Sequence, residues 1–292
     1  MQTNNFKYYI HLHLLVFIAG FTAILGELIS ISSIPLVWHR MLIASLLTLI
    51  YLIISKNKVS IDFKTFLKLS LPGLIIALHW ITFFEAIEQS NISITLAMFS
   101  TAAFFTSFIE PLIFRRRIIY YEIIMGLLVI TGVYLITMAE ISYLNGIILG
   151  VLSALFSSLF SVFNGKLVKK YSPLTISFYE FLSGVVFITL YLIITNSFSS
   201  IYIEGIFSLD YLYLFILGSV CTAYAFIAAV DLMKYLTPFT VVLTYNLEPV
   251  YGIVLAILLF PDQEKMSFMF YVGAILILAT IIINSIIKNR NN

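Results

Sequence analysis

The chain has 292 residues, of which 61% are hydrophobic and 10% are charged, with a net charge of +2 and a mean hydropathy of +1.07. Soluble domains carry about 25% charged residues, and a soluble core of this length would still leave a large surface for water to solvate. The composition therefore excludes an ordinary soluble domain and favours a chain that is surrounded by lipid. The single cysteine, Cys221, excludes an internal disulfide and a cysteine-based metal cluster.

Ten apolar runs are long enough to form membrane-spanning helices, each of which needs about 20 mostly apolar residues. They cover residues 8–27, 34–55, 67–87, 92–114, 119–139, 144–165, 173–195, 210–232, 238–260 and 267–288. We therefore predict an all-α polytopic membrane protein with ten transmembrane helices. The run after Lys7 lacks a small-residue cleavage pattern, so we expect it to be retained as the first helix.

Basic residues alternate between the loops as a ten-helix topology requires. One side of the predicted membrane receives 14 of the 16 Lys and Arg residues, and the other side receives only Arg40 and Lys265. Because cytoplasmic loops carry an excess of Lys and Arg, we expect a multi-pass protein of a bacterial-type cytoplasmic (inner) membrane with both termini in the cytoplasm. The basic loops are expected to meet anionic lipid of the bilayer. Nothing in their pattern indicates nucleic-acid binding.

The two halves of the chain resemble each other weakly. Pro35-Leu36 begins the second predicted helix and Pro173-Leu174 begins the seventh, an offset of 138 residues. Each half contains five helices, and an odd number places the second half upside down relative to the first. We therefore predict two inverted five-helix repeats, at residues 8–139 and 144–288. Inverted repeats are typical of secondary transporters, whose binding site lies near the membrane centre where the halves meet.

A carboxylate in the ninth predicted helix is the first candidate for a site. Glu248 lies about ten residues inside this helix, where a charge is costly and indicates function. Burial disfavours the charged form of a carboxyl group. Glu248 is therefore interpreted either as a proton-carrying or amine-binding group, or as a neutral structural carboxyl beside Pro249. Tyr245 shares a helix face with it, and Asn246 is close enough to border the same cavity.

Residues of two other helices are predicted to border this cavity. His79 and Trp80 lie in the middle of the third predicted helix, where His79 would serve as a hydrogen-bond partner or proton relay and Trp80 as an apolar wall. The alternative for His79 is a core histidine that another helix satisfies. Tyr224, in the eighth helix, is a comparable candidate.

Three further charged residues lie within predicted helices. Glu27 and Arg40 are on the same side and are predicted to form an ion pair or an outer gate, or else to reach water separately. Glu180, in the seventh helix, is expected to reach toward the lysines that precede that helix in a salt bridge rather than to contact substrate.

Small polar residues recur at helical spacing in the sixth and fourth predicted helices. The stripe in the sixth helix consists of Ser153, Ser157, Ser161 and Asn164. Such stripes indicate close helix packing, although they also line pores. Glu110 has the same Glu-Pro pattern as Glu248, but an offset near 146 pairs Glu248 with Ala102 instead, and Glu110 is expected near the basic surface.

Three local patterns, together with the arrangement of helices, resemble the EamA-type permeases of the drug/metabolite transporter superfamily. The patterns are Pro35-Leu36-Val37-Trp38-His39-Arg40, Ala86-Ile87-Glu88-Gln89-Ser90 and Asn246-Leu247-Glu248-Pro249-Val250, and the likeness covers about residues 12 to 287. The resemblance implies secondary transport of small organic solutes, often export of amino acids or other metabolites, by alternating access. It also implies a central cavity lined by helices 1, 3, 4, 6, 8 and 9.

Motifs for other activities are missing from the sequence. It contains no Walker A pattern, no His-Glu-x-x-His, no Gly-x-Ser-x-Gly and no cysteine pair, so we predict no ATPase, no enzyme, no metal site and no cofactor. The alternative to transport is a receptor-like scaffold or an intramembrane enzyme. The expected partners are a small-molecule solute, the lipid bilayer and protons as a coupling ion, and a monomer is compatible with the sequence. The sequence is compatible with export and with uptake of the solute, and with proton-coupled transport and with passive diffusion.

Overall fold

A computed structural model describes residues 6–56, 60–115, 120–205, 208–245 and 247–291. These residues form α-helices, short 3-10 turns and one π turn, with no β-strand among them. The α-helices are α1 (Phe6–Leu28), α2 (Ser33–Ile54), α3 (Phe63–Gln89), α4 (Ile92–Phe99), α5 (Ala102–Phe114), α6 (Tyr120–Ala139), α7 (Leu144–Leu167), α8 (Pro173–Ile194), α9 (Leu209–Gly218), α10 (Ala225–Leu232), α11 (Pro238–Tyr245), α12 (Glu248–Leu259) and α13 (Phe268–Asn291). The candidate Asn246 lies outside the described residues.

Eight segments of the described chain are long and apolar enough to cross a membrane. Three of them consist of two helices in line: α4 with α5, α9 with α10, and α11 with α12. Two further apolar helices, Ile124–Ala139 and Phe268–Thr280, are shorter than a full span within the described residues. The prediction of an all-α, multi-pass membrane protein is therefore confirmed, whereas the count of ten spans stays a prediction.

Side-chain contacts group the loops at two opposite ends of the helices. At one end Ser33 Oγ donates to Glu85 Oε2 at 2.5 Å, which joins the start of α2 to the end of α3. At the other end the rings of Tyr8 and Tyr235 stack at 4.0 Å, which joins the start of α1 to the loop after α10. We call the first end, with the loops after α1, α3, α6, α8 and α12, the acidic face. The second end, with the loops after α2, α5, α7 and α10, is the basic face.

The helices of the two halves start at regular offsets. The starts of α3 and α9, of α4 and α11, and of α5 and α12 each lie 146 residues apart, whereas those of α2 and α8 lie 140 apart. The difference arises in the connection between α8 and α9, which is longer than that between α2 and α3. The interruptions in the fourth and ninth spans therefore fall at equivalent positions, with α5 beginning at Ala102 and α12 at Glu248. Glu110 is not the counterpart of Glu248, and it is buried.

Two carboxylates outside the spans cap helices at the two faces. Glu264 is 3% exposed, and its two carboxylate oxygens accept the backbone N–H groups of Ile92 and Ser93, each at 3.0 Å. Asp62 accepts from the backbone N–H of Thr65 at 3.2 Å and from its hydroxyl at 2.6 Å, and this hydroxyl bond lowers the pKa of Asp62. The first N–H groups of a helix have no partner within the helix, so both carboxylates stabilise the starts of spans.

Candidate functional site

A cavity of about 110 Å³ lies at the centre of the helix assembly. Residues of α1, α3, α4, α5, α7, α10, α11 and α12 line it, and these helices belong to the six spans that the resemblance implies. The second span adds a side chain, Arg40, that was not expected there. The polar lining includes Arg40, His79, Ser161, Asn164, Tyr245 and Glu248.

Arg40 is a buried cation whose hydrogen bonds are only partly satisfied. It is 3% exposed; its Nε donates to Thr222 Oγ1, and its Nη2 donates to the carbonyl oxygen of Cys221 at 3.3 Å. The guanidinium carbon lies 4.1 Å from the ring centroid of Trp80, a cation–π contact. Nη1 has no hydrogen-bond partner within the described residues. Arg40 is thus held in place at one edge and retains a free donor.

A π turn, Ser219–Tyr224, presents the acceptors that hold Arg40. It lies between α9 and α10, and in it Thr222 Oγ1 donates to the carbonyl oxygen of Leu217, five residues earlier, at 2.6 Å. Because a π turn departs from the regular hydrogen-bond ladder of an α-helix, backbone carbonyls become accessible to side chains, and such turns are frequent at functional sites. Here the carbonyl of Cys221 faces Arg40.

Glu248 lies at the N-terminus of α12, on the far side of the interruption from Tyr245. Its side chain is 5% exposed and lines the cavity, as does that of Tyr245. No described residue hydrogen-bonds the Glu248 carboxyl group. The interruption follows from Pro249, which lacks an N–H group and is favoured in the first turn of a helix. Arg40 and Glu248 attract each other within the cavity, but they form no ion pair.

His79 is anchored on one side and open to the cavity on the other. Its Nδ1 lies 3.0 Å from the carbonyl oxygen and 2.9 Å from the hydroxyl oxygen of Ser153. The Ser153 hydroxyl group donates its proton to the carbonyl oxygen of His79 at 3.1 Å, so both neighbours of Nδ1 act as acceptors. Because a carbonyl only accepts, Nδ1 carries a proton, and Nε2 is the nitrogen without a partner among the described residues. A neutral His79 therefore offers the cavity a hydrogen-bond acceptor.

Aromatic rings form most of the remaining cavity wall. Phe99 and Phe160 each lie 5.4 Å from the His79 ring, and Phe226 lies 5.9 Å from Phe160 and 6.1 Å from Trp80, measured between ring centroids. Sequence reasoning found His79 and Trp80 but not these three phenylalanines. The chain contains 26 phenylalanines, and nothing in their spacing separates a cavity wall from ordinary packing.

The small polar stripe of α7 lines the cavity rather than serving helix packing alone. Ser157, Ser161 and Asn164 all border the cavity, and Ser153 holds His79. The neighbouring Ser158 donates to the carbonyl oxygen of Ala102 at 2.6 Å, so the adjacent side of the helix packs on α5. The same helix therefore fulfils both interpretations that its sequence allowed.

Tyr224, predicted for the cavity, lies outside it. The side chain is 45% exposed, and its hydroxyl group lies 3.1 Å from His11 Nε2 on the outer side of α1. Tyr224 is the last residue of the π turn Ser219–Tyr224, whereas Cys221 within the turn and Ala225 directly after it border the cavity.

The predicted pair of Glu27 and Arg40 does not form among the described residues. Arg40 follows Ser33, the first residue of α2, by seven positions, so it lies about 10 Å along the helix axis from the acidic face. Glu27 lies at the end of α1 and borders a second cavity, of about 520 Å³, with Glu88 and Glu264. The difference in depth separates the two side chains. Arg40 therefore belongs to the central cavity and Glu27 to the acidic face.

Glu180 forms no salt bridge with a lysine in the described structure, which corrects the expectation for this residue. Its side chain is fully buried, at 0% exposed, and its Oε2 accepts from Asn164 Nδ2 at 3.2 Å. The lysines at 166, 169 and 170 are exposed at the basic face. The side chain of Glu180 is directed into the packed helices instead of along the helix toward water.

A family model matches most of this chain and shows the family to which the chain belongs. The model of the EamA-like transporter family matches residues 6–138 and 144–286. The chain belongs to the EamA-like transporter family. The resemblance inferred from the sequence is therefore confirmed, and the protein is placed among the membrane transporters of small solutes in the drug/metabolite transporter superfamily.

Solved structures agree with the fold of this EamA-like protein. One crystal structure superposes with a TM-score of 0.68 at 12% sequence identity, covering 97% of this chain and 99% of that chain. At this identity the likeness concerns the fold alone. No curated protein matches the sequence significantly. Among the described residues, no group of three or more His, Cys, Asp or Glu side chains could hold a metal ion.

Proposed function

We propose that this EamA-like protein is a secondary transporter that exports small zwitterionic metabolites, such as apolar amino acids, by alternating access around the central cavity. One observation carries the proposal. Arg40, with a free Nη1 donor, and Glu248, with no hydrogen-bond partner in the described residues, line the same cavity without bonding each other. A solute with one carboxylate and one ammonium group would satisfy both.

Arg40 and Glu248 are buried groups that the described residues leave with unmade hydrogen bonds. A buried charge is costly unless it is paired and hydrogen-bonded, and a free donor loses its hydrogen bonds to water. A carboxylate at Arg40 Nη1 supplies the missing acceptor, and an ammonium group at Glu248 supplies the missing donors. A zwitterion has no net charge, so it enters the site without adding one. A solute with only one of these groups leaves the other residue unsatisfied.

The cavity wall supports an apolar side chain on the solute. The rings of Trp80, Phe99, Phe160 and Phe226 surround the space beside the polar groups, and His79 Nε2 adds one acceptor. The cavity volume of about 110 Å³ holds a few water molecules but is smaller than the roughly 300 Å³ at which ligand pockets begin. The helices are therefore expected to separate around a bound solute, as alternating access requires.

The distribution of basic residues favours one orientation of the protein in the membrane. The basic face is proposed to lie in the cytoplasm, with both termini, because Lys and Arg are concentrated in its loops. Export of a zwitterion against its gradient is proposed to be coupled to protons that move in the opposite direction. The inverted relation of residues 8–139 and 144–288 would give the protein its two alternating states.

The experiment that tests this function is flux in proteoliposomes. Purified protein is reconstituted, and counterflow of radiolabelled L-phenylalanine, L-leucine, phenethylamine and 3-phenylpropionate is measured. We expect the two amino acids to be exchanged and the two single-charge compounds to be exchanged at least about tenfold more slowly. Glu248→Gln is expected to lower amino-acid counterflow at least about tenfold because it removes an interaction with a charged group, and His79→Ala several-fold.

The control variant is Asp262→Asn, which changes a side chain that is 92% exposed and forms an ion pair with Lys265 at the acidic face. Its counterflow should equal that of wild type. If both Glu248→Gln and His79→Ala exchange every compound at the wild-type rate while eluting as folded protein, the assignment of the site is wrong. If wild-type protein exchanges none of the compounds, the proposed substrate class is wrong.

A further inference from the structure

A second buried carboxyl group lies beside the central cavity. Glu180, on α8, is completely buried, and one described side chain hydrogen-bonds it: Asn164 Nδ2 donates to Oε2 at 3.2 Å. Its other oxygen, Oε1, has no hydrogen-bond partner within the described residues. The carboxyl group does not line the cavity, but Asn164 does. Glu180 is therefore separated from the cavity by one amide side chain.

None of the hydrogen bonds or ion pairs among the described residues joins Glu180 to a charged side chain. The helices packed on α8 are α2, α3 and α10, and α7 carries Asn164. The charged side chains and histidines on these four helices are His39, Arg40, Lys64, Lys68, His79, Glu85, Glu88, Lys166 and Asp231. Arg40 and His79 bond the π turn and α7 respectively, His39 lies 2.8 Å from the carbonyl oxygen of Ile201, and Asp231 pairs with Lys234 at 2.7 Å. The three lysines are exposed, and Glu85 and Glu88 lie near the end of α3 at the acidic face.

An ionised Glu180 would thus be an isolated charge in the packed interior. Such a charge costs several kcal/mol even after the protein relaxes, and a single amide donor does not offset it. A neutral carboxylic acid carries no such penalty. We therefore expect Glu180 to be protonated in this packed conformation and to lose its proton in a conformation in which water reaches it.

The asparagine is suited to both protonation states. An amide group offers two N–H donors and one carbonyl acceptor, so Asn164 donates to a carboxylate through Nδ2 and accepts from a carboxylic acid through Oδ1. Oδ1 has no hydrogen-bond partner within the described residues. Rotation of the amide by half a turn would present Oδ1 to Glu180 in place of Nδ2. A lysine or arginine at this position can only donate hydrogen bonds, so it would stabilise only the ionised form of Glu180.

We propose that Glu180 is the proton-binding site that couples solute export to the proton gradient, and that Asn164 links this site to the solute cavity. The inference rests on the proposed transport function and deepens it by separating the proton site from the solute site at Glu248. In one conformation the Glu180 carboxylate takes one proton from water on one side, forming an O–H bond. In the alternate conformation that bond breaks and the proton leaves to water on the other side.

The test separates solute movement from proton coupling. Proteoliposomes carry wild type, Glu180→Gln or Glu180→Asp, and two quantities are measured: counterflow of radiolabelled L-phenylalanine at equal pH on both sides, and flux driven by a pH gradient. We expect a pH gradient to accelerate wild-type flux severalfold. Glu180→Gln, which keeps the shape and cannot titrate, should retain counterflow within about twofold and lose the acceleration. Glu180→Asp should retain the acceleration with a shifted pH midpoint.

The outcomes are distinguishable. A pH gradient that accelerates Glu180→Gln as much as wild type overturns the proton site while leaving the transport function intact. Wild-type counterflow without any acceleration overturns it as well, whereas absent wild-type counterflow overturns the transport function itself. If Glu180→Gln does not fold, Glu180→Asp decides alone, because an unchanged pH profile would show that residue 180 is not the group that titrates.

Discussion

Replacing Arg40 with glutamine is expected to lower the transport efficiency for a zwitterionic solute, kcat/KM, about 100-fold, which corresponds to about 2.7 kcal/mol. Arg40 Nη1 has no hydrogen-bond partner among the described residues, and Arg40 lines the cavity, where a solute carboxylate would meet its guanidinium group. Glutamine keeps a polar side chain but has neither the positive charge nor the reach. The loss should therefore appear as a higher KM.

Arg40→Lys distinguishes the charge from the shape of the guanidinium group. A lysine keeps the charge, but it cannot contact Thr222, the Cys221 carbonyl and a solute with the fixed fork that Arg40 offers. We expect a loss of about tenfold for this variant, between wild type and Arg40→Gln. A KM for L-phenylalanine that is unchanged in Arg40→Gln would remove Arg40 from the solute site.

Replacing Gly73 with alanine is expected to destabilise the protein. A Cβ atom at Gly73 would lie 2.6 Å from the carbonyl oxygen of Glu180 and 3.0 Å from its Cα, so α3 would have to move away from α8. Backbone atoms have no rotamer that relieves such a clash, and overpacking costs roughly 1–3 kcal/mol. The thermal midpoint of the purified protein, measured in detergent by intrinsic fluorescence, should fall by roughly 5 °C.

The matched control lies on the same helix. Leu71 is 53% exposed on the outer side of α3, and Leu71→Ala removes more volume than Gly73→Ala adds. Exposed substitutions usually change stability by less than about 0.5 kcal/mol, so its midpoint should stay close to that of wild type. Equal midpoints for Gly73→Ala and wild type would contradict the close packing of α3 on α8.

Composition and residue pattern predicted an all-α membrane protein, because a helix that crosses lipid must meet simple requirements of length and polarity. Every spanning helix must be apolar and about 20 residues long, and such runs can be recognised in the sequence without a structure. Glu248 and His79 were found for the same reason, since polar groups are conspicuous in such runs. Both border the central cavity.

The positions of the other candidate residues could not be predicted, because the sequence pattern does not give a residue's depth in the membrane or the direction in which its side chain leaves the helix. Tyr224 lies outside the cavity, in a π turn that no sequence signal marks. The pairing of Arg40 with Glu27 failed because the two residues differ by about 10 Å in depth. Glu180 was expected to follow its helix toward exposed lysines, yet Asn164 holds it in the interior.

The central claim is that one cavity recognises both charges of a zwitterion, with Arg40 for the carboxylate and Glu248 for the ammonium group. Matched pairs of ligands and variants test this directly. The dissociation constants of L-phenylalanine, of phenethylamine, which lacks the carboxylate, and of 3-phenylpropionate, which lacks the ammonium group, are measured by calorimetry. The proteins are wild type, Arg40→Gln and Glu248→Gln. Such a cycle isolates the interaction between one ligand group and one residue.

We predict that wild type binds both analogues at least about tenfold more weakly than L-phenylalanine, since each leaves one buried group unpaired. Arg40→Gln should bind phenethylamine as tightly as L-phenylalanine, because the carboxylate has lost its partner. Glu248→Gln should bind 3-phenylpropionate as tightly as L-phenylalanine. If both variants keep the full wild-type discrimination between L-phenylalanine and the two analogues, Arg40 and Glu248 do not recognise the charges of the solute, and the account is contradicted.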